Sequence, residues 1–330
     1  MYKRRGATRF CSAAPAVFVS APCIPAVSLV LLGLFYPARL FVNRDGAFDK
    51  PESDMLHCPV KPISLPPRQV YVFDLDGVLY LGDTAIPYAA DAVRRLQEAG
   101  KSVYFLTNNS GRTRADYVEK LRSVNGLAVP ETAIFTSAYA TALYLKQRGA
   151  AGRSVFIIGE PGLASELRAS GGLVPITEPD SVDIHDLDYV VVGIDRKFTY
   201  DKLRFAHAAI TRGHAQFIAT NRDATFPMET GEIPGGGSLV ASLATATGRE
   251  PITIGKPETH AYEAILQAAQ VAATGSIMVG DRLDTDIAVG RRAGAHTVLV
   301  LTGVTSPEQA QNAPPEWRPD RVIGDLRELD

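Results

Sequence analysis

The sequence predicts an α/β protein, a parallel sheet covered on both faces by helices, with a second α/β unit inserted into it. Three observations lead there. Short β-branched or aromatic runs alternate with segments of helical spacing from residue 69 onward. The alternation runs on through residues 154–220 as a unit of its own and resumes after residue 250. Acids, amides and hydroxyls gather directly after the strand-like runs, the end at which open parallel sheets bind ligands.

The elements follow in order. Residues 69–74 (QVYVFD) read as a buried strand. Residues 88–100 (YAADAVRRLQEAG) space their apolar side chains as a helix and stop at glycine. Residues 102–107 (SVYFLT) and 133–136 are strands, with helices at 114–124 and 138–147. Gly149 to Arg153 suits a hinge into the insert, which predicts strands at 154–158, 189–193 and 216–220 and helices at 161–169 and 200–212. Gly235-Gly-Gly-Ser238 opens a further apolar helix, and Gly248 to Pro251 leads back. The closing part predicts a helix at 260–272, a strand at 276–280, a helix at 285–293 and a strand at 296–301. The expected division is a leader and linker at 1–66, a core domain made of 67–149 and 250–330, and an inserted domain at 150–249.

Composition narrows the function. The chain of 330 residues carries 34 Lys plus Arg against 36 Asp plus Glu, a net charge of −2, so nothing in the balance draws it to nucleic acid. All 3 cysteines lie before residue 60, so no disulfide framework or CxxC zinc site occurs beyond it, as suits a cytoplasmic or similarly reducing compartment. The first residues differ from the rest: Lys3, Arg4, Arg5 and Arg9 precede an uncharged run from 13 to 38. Prolines interrupt that run, and its longest proline-free piece, eleven residues at 26–36, would rise only about 16 Å as a helix, short of a bilayer core of roughly 30 Å. A targeting leader, which would make the protein organellar, a weak anchor, and upstream sequence read from a misplaced start all stay open.

Four pieces hold the chemistry. Asp74-Leu-Asp76-Gly77 ends the first strand, and carboxylates at i and i+2 of an extended chain point to one side, a costly arrangement without a cation or a shared proton. Thr107-Asn108-Asn109-Ser110 ends the second strand with hydroxyl, amide and backbone donors suited to phosphate oxygens. Lys256 sits in Gly255-Lys-Pro-Glu258 ahead of a helix. Gly280-Asp281-Arg-Leu-Asp284-Thr-Asp286 places three acids at another strand end, either an N-cap cluster or a hard-cation site. Each is ambiguous alone. No GxxxxGKS or GxxxxGKT phosphate loop and no HExxH occurs, and the six histidines form no close metal-ligand spacing.

In this order, DLDGVLY, TNNS, GKPE and GDRLDTD resemble the four motifs of the haloacid dehalogenase (HAD) superfamily, and their particular forms resemble its p-nitrophenyl, phosphoglycolate and pyridoxal phosphatases. The resemblance spans about residues 69–326, and VGIDRKFTYDKL and ATNRDATFP resemble that subgroup's cap. It implies a Rossmann-like HAD core with an inserted α/β cap. It further implies a Mg²⁺-dependent phosphatase that hydrolyses small phosphate monoesters, 2-phosphoglycolate-like or aryl, through an aspartyl-phosphate. On the matching positions Asp74 is the nucleophile, Asp76 the general acid and base, and Lys256 the counter-charge. Thr107, Asn108 and Asn109 bind the phosphoryl group. Mg²⁺ is held by Asp74, the carbonyl of Asp76 and Asp281, with Asp286 in support. Arg222, with Arg196 and Lys197 in the cap segments, is the expected reader of a substrate carboxylate. The alternatives are a pyridoxal phosphate phosphatase, a broad sugar or nucleotide phosphatase, a phosphotransferase or mutase, and a phosphate-binding protein on an inactive scaffold. The implied partner is a small phosphorylated metabolite, not nucleic acid or another protein; a homodimer formed through the cap is the assembly considered.

Overall fold

The computed structural model describes residues 69–228 and 231–329. The expectations for residues 1–66 lie outside the described residues.

The first sheet has six strands, all parallel: β1 (Val70–Phe73), β4 (Ser102–Thr107), β5 (Ile134–Thr136), β13 (Ser276–Gly280), β14 (His296–Val300) and β15 (Arg321–Ile323). Its order is β15-β14-β13-β1-β4-β5, so the chain leaves β1 to one side and returns on the other. Such a reversal opens a crevice beyond the carboxyl ends of the two strands that flank it. Those strands are β1 and β13, and they deliver Asp74 and Asp281. Every residue of β1 is buried, as a strand covered on both faces requires. Tyr71 and Phe73 enter one apolar cluster and Val70 and Val72 another, the two-residue period of a strand.

Between β1 and β4 stand a hairpin, β2 (Tyr80–Leu81) and β3 (Thr84–Ala85), and helix α1 (Ala89–Glu98). Helices α2 (Arg114–Asn125) and α3 (Ser137–Gln147) flank β5. Thr113 caps α2 with a reciprocal capping box to Asp116, and Gly126 closes it in the left-handed conformation.

The second sheet is also parallel, in the order β12-β9-β8-β6-β7, from β6 (Ser154–Ile158), β7 (Val174–Ile176), β8 (Tyr189–Val192), β9 (Gln216–Ala219) and β12 (Ile252–Thr253). Helices α4 (Pro161–Ala169), α5 (Tyr200–Thr211) and α6 (Gly236–Thr247) accompany it, with a hairpin of β10 (Thr225–Met228) and β11 (Gly231–Pro234). The sheet therefore reaches past residue 249, where the sequence placed the return to the core. One apolar cluster joins Val72, Leu106 and Met278 of the first sheet to Ile157, Val191 and Ile218 of the second, and α3 packs on α4. At roughly 1.5–3 kcal/mol for each fully buried aliphatic side chain, this shared core resists separation of the two sheets.

Helix α7 (His260–Ala269) ends three residues short of the sequence expectation, at Gln270 in the left-handed region. The helix expected from residue 285 is a π-turn, Leu283–Ile287, followed by α8 (Ala288–Ala293). The short α9 (Pro307–Gln311) lies before β15. Among the described residues, no helix is long and apolar enough to cross a membrane.

Candidate active site

A cavity of about 570 Å³ opens beyond the carboxyl ends of the first sheet, walled on its other side by loops of the second. Asp74, Asp76, Thr107, Asn108, Asn109 and Lys256 line it, together with Asp281 and Asp286. The structure thus gathers eight of the eleven site residues named from sequence; Lys197 is not among the lining residues. Arg222 is not among the lining residues; its exposed guanidinium pairs with Glu250 at 2.7 Å. Arg196 likewise pairs with Glu160 at 2.9 Å. Arg196 also stands over the ring of Phe226, a lining residue, at 5.8 Å from its centroid.

Asp74 continues the β1 ladder, its N–H donating to the Val279 carbonyl at 2.9 Å. The chain then turns sharply, with the Leu75 carbonyl accepting from Leu79 at 2.9 Å and Gly77 N–H donating to Tyr80 at 2.8 Å. Gly77 has φ +84° and faces the Asp281 carboxylate so closely that a Cβ has no room. Gly303 lines the same carboxylate from the other side.

Lys256, 3% exposed, bridges the centre. Its ammonium donates to Asp74 Oδ1 at 2.5 Å, Asp286 Oδ1 at 2.7 Å and the Leu106 carbonyl at 3.3 Å. Burial opposes its charge, but Asp286 and Asp74 outweigh it and hold the ammonium protonated above the ordinary lysine range. Asp74 is driven the other way: burial pushes its carboxyl well up, and Lys256 pulls it back. Burial also raises Asp76, against the pull of Lys120, Lys256 and Arg112.

The π-turn positions the last acids. By widening the first turn it lets Asp286 Oδ2 accept from the backbone N–H of Asp281 at 3.1 Å and Arg282 at 3.0 Å, while Oδ1 takes Lys256. Asp286 is thus committed to donors. Asp281 is not: Oδ2 accepts from Val304 N–H at 2.8 Å, but the buried Oδ1 has no hydrogen-bond partner among the described residues. Burial, then the negative Asp286, push Asp281 up to about 7. Carboxylate oxygens of Asp74, Asp281 and Asp286 lie within 4.8 Å of one another. An orphaned buried oxygen beside two more carboxylates, all hard donors, fits a divalent cation.

Thr107 Oγ1 accepts from Asn109 N–H at 3.2 Å, and Asn109 Oδ1 accepts from Gly111 N–H at 2.8 Å, which shapes the loop after β4. The Asn108 side chain ties three segments. Its amide donates to the Lys256 carbonyl at 2.9 Å and to both Asp223 oxygens at 3.1 Å, and its Oδ1 accepts from Lys256 N–H at 2.8 Å. Asn221 donates to the Asn108 carbonyl at 2.7 Å. Sequence reasoning assigned no role to Asp223 or to Arg282, both cavity-lining. The signal for Arg282 was its place directly after Asp281 at a strand end.

Two family models match the chain: "Haloacid dehalogenase-like hydrolase" over residues 71–172 and "HAD-hyrolase-like" over 253–329. Glycerol-3-phosphate phosphatase from Homo sapiens is 40% identical over 260 residues, covering 73% of this chain and 81% of the relative. This chain belongs to the HAD-like hydrolases. Phosphoglycolate phosphatase 2 from Arabidopsis thaliana is 38% identical over 274 residues, with 78% and 91% covered. Among solved structures, the p-nitrophenyl phosphatase from Archaeoglobus fulgidus superposes with TM-score 0.73 at 38% identity, over 80% of this HAD-like chain and 98% of that one.

Proposed function

We infer that this protein is a phosphoric monoester hydrolase for small phosphorylated metabolites, acting through an aspartyl-phosphate on Asp74. The observation that carries the reading is the buried Asp74–Lys256–Asp286 chain beside the unpartnered Asp281 oxygen. A solvated cap cluster needs neither a buried lysine nor an orphaned carboxylate.

In this reading Asp74 attacks phosphorus in line; the P–O bond to the leaving alcohol breaks as the Asp74–phosphorus bond forms. Asp76 gives its proton to the leaving oxygen, and its raised affinity for protons suits that first role. The resulting carboxylate takes a proton from water, which attacks the phosphoryl group and frees Asp74. Thr107 and the backbone N–H of Asn108 face the transferring oxygens, and Lys256 offsets the charge that Asp74 and phosphate bring together. Asp74, Asp281 and the carbonyl of Asp76 would hold Mg²⁺, which when bound adds positive charge that keeps the carboxylates ionised beside a phosphate. Asp286 stays with Lys256 as a support. The inserted unit at about 150–253 walls the leaving-group side and excludes water.

Asp74→Asn tests the assignment. The amide keeps the shape but cannot attack phosphorus, so phosphate release from p-nitrophenyl phosphate should fall to under about a hundredth of wild type, in keeping with loss of a covalent nucleophile. Activity above that level would exclude Asp74. Restoration of a chelator-treated enzyme by Mg²⁺, and not by Ca²⁺, tests the metal.

A further inference from the structure

The inserted unit grips the loop after β4 at a point outside the cavity. Residues 108–113 connect β4 to α2, and local bonds fold their first part, from Thr107 to Asn109 and from Asn109 to Gly111. Helix α4 lies against the far part. Gly162 approaches the Gly111 carbonyl and the Arg112 backbone so closely that a Cβ has no room. One turn further along the same face of α4, Glu166 reaches the first residue of α2. Its Oε1 accepts from Arg114 N–H at 2.9 Å, both its oxygens lie 3.3 Å from Arg114 Nε, and Oε2 accepts from Ser170 Oγ at 3.1 Å. The Arg114 guanidinium is fixed further by Glu131 at 2.9 Å and by the Tyr139 ring, 3.7 Å to its centroid. The first N–H groups of a helix have no partner within it. Thr113 takes that of Asp116, and Glu166 takes that of Arg114 from the other sheet's helix. Glu166 is 4% exposed and lines no part of the active cavity, so the chemistry described above does not use it. Packing alone would be served by an apolar side chain, which brings no charge out of water.

We propose that Glu166 is a positioning residue for phosphoryl transfer: from the inserted unit it pins the start of α2 and so holds residues 107–113 in the shape that receives the phosphoryl oxygens. This rests on the phosphatase reading and adds a residue that acts through Arg114 rather than on the substrate. The loop is anchored at one end by β4 and at the other by Glu166, with the backbone contact of Gly162 between. Releasing the second anchor leaves Thr107 and Asn108 in place in sequence but frees the run that follows them. A loop that binds phosphate in substrate, transition state and product alike then weakens all three together, which raises KM and the inhibition constant of phosphate and leaves kcat little changed.

The test is kcat and KM for p-nitrophenyl phosphate, the inhibition constant of inorganic phosphate, the Mg²⁺ concentration for half-maximal activity and Tm, in wild type, Glu166→Ala and Glu166→Gln, with kinetics well below the melting range. Glu166→Ala should raise KM and the phosphate inhibition constant by about tenfold each, with kcat and the Mg²⁺ requirement within about threefold of wild type. Glu166→Gln keeps an oxygen to accept from Arg114 N–H and should recover part of the loss, to about threefold. A fall in Tm with KM and the inhibition constant unchanged in Glu166→Ala would make Glu166 a structural residue only and overturn the proposal. So would a loss confined to kcat, and so would a rise in the Mg²⁺ requirement as large as that in KM, which would mean that the whole site had loosened. If Glu166→Ala does not fold, Glu166→Gln decides, and an unchanged phosphate inhibition constant there overturns the proposal. Wild type that releases no phosphate from p-nitrophenyl phosphate would overturn the phosphatase reading itself, a result distinct from unchanged constants in an active variant.

Discussion

Replacing Lys256 with Met removes the charge and keeps the length of the side chain, leaving Asp74 and Asp286 facing each other in a buried site. In the native structure the ammonium bonds both, at 2.5 and 2.7 Å, with 3% of its side chain exposed. Removing one partner of a buried ion pair costs about 3–5 kcal/mol, because the other charge stays buried without compensation. For a chain of this size that corresponds to a fall in Tm of about 10 °C. The loss must depend on pH. Burial already raises Asp74 well above its ordinary range, so without Lys256 it can take up a proton, and the penalty shrinks as pH falls. Thermal melts of metal-free wild type and Lys256→Met at about pH 5 and 8 should show the larger deficit at pH 8. A deficit below about 2 °C, or one independent of pH, would show that Lys256 does not compensate these carboxylates.

Three further outcomes follow from the same geometry. Gly77→Ala forces a side chain against the Asp281 carboxylate at φ +84°, so the Mg²⁺ concentration for half-maximal activity should rise at least about tenfold; an unchanged requirement would place the metal elsewhere. Asp281 binds its proton more tightly folded than unfolded, so it withdraws stability from the metal-free protein as pH rises towards about 7. Metal binding needs the ionised form, so the rise in Tm given by Mg²⁺ should be larger at pH 8 than at pH 6; the opposite trend would contradict this assignment. Arg222→Ala should shift the preference between p-nitrophenyl phosphate and 2-phosphoglycolate, measured as a ratio of kcat/KM values, by no more than about twofold, because its charge faces Glu250 rather than the cavity. A selective loss on 2-phosphoglycolate would return Arg222 to the substrate.

The long parallel strands were legible because burial on both faces leaves a run such as VYVF with no polar member. The hairpin Tyr80–Ala85, strand β7 with its proline, and β12 escaped because two or three residues carry no periodicity. The π-turn was unreadable for another reason: Leu283–Ile287 has ordinary helical composition, and what widens it is the reach of Asp286 back to two N–H groups. The four clusters at strand ends were legible as one candidate site, and the structure brings them to one cavity. The charge of Arg222 is visible in sequence, whereas its partner Glu250, 28 residues on, is not. Asp223 was hidden the same way, its meaning fixed by Asn108 from the other sheet.

The central claim is that the phosphoryl group passes through Asp74 on its way to water. The stereochemical course at phosphorus, followed with a substrate chiral through oxygen isotopes and sulfur, tests this most directly. Two successive in-line displacements, first by Asp74 and then by water, predict retention of configuration; inversion would mean that water attacks the substrate in one step and that Asp74 is not the nucleophile.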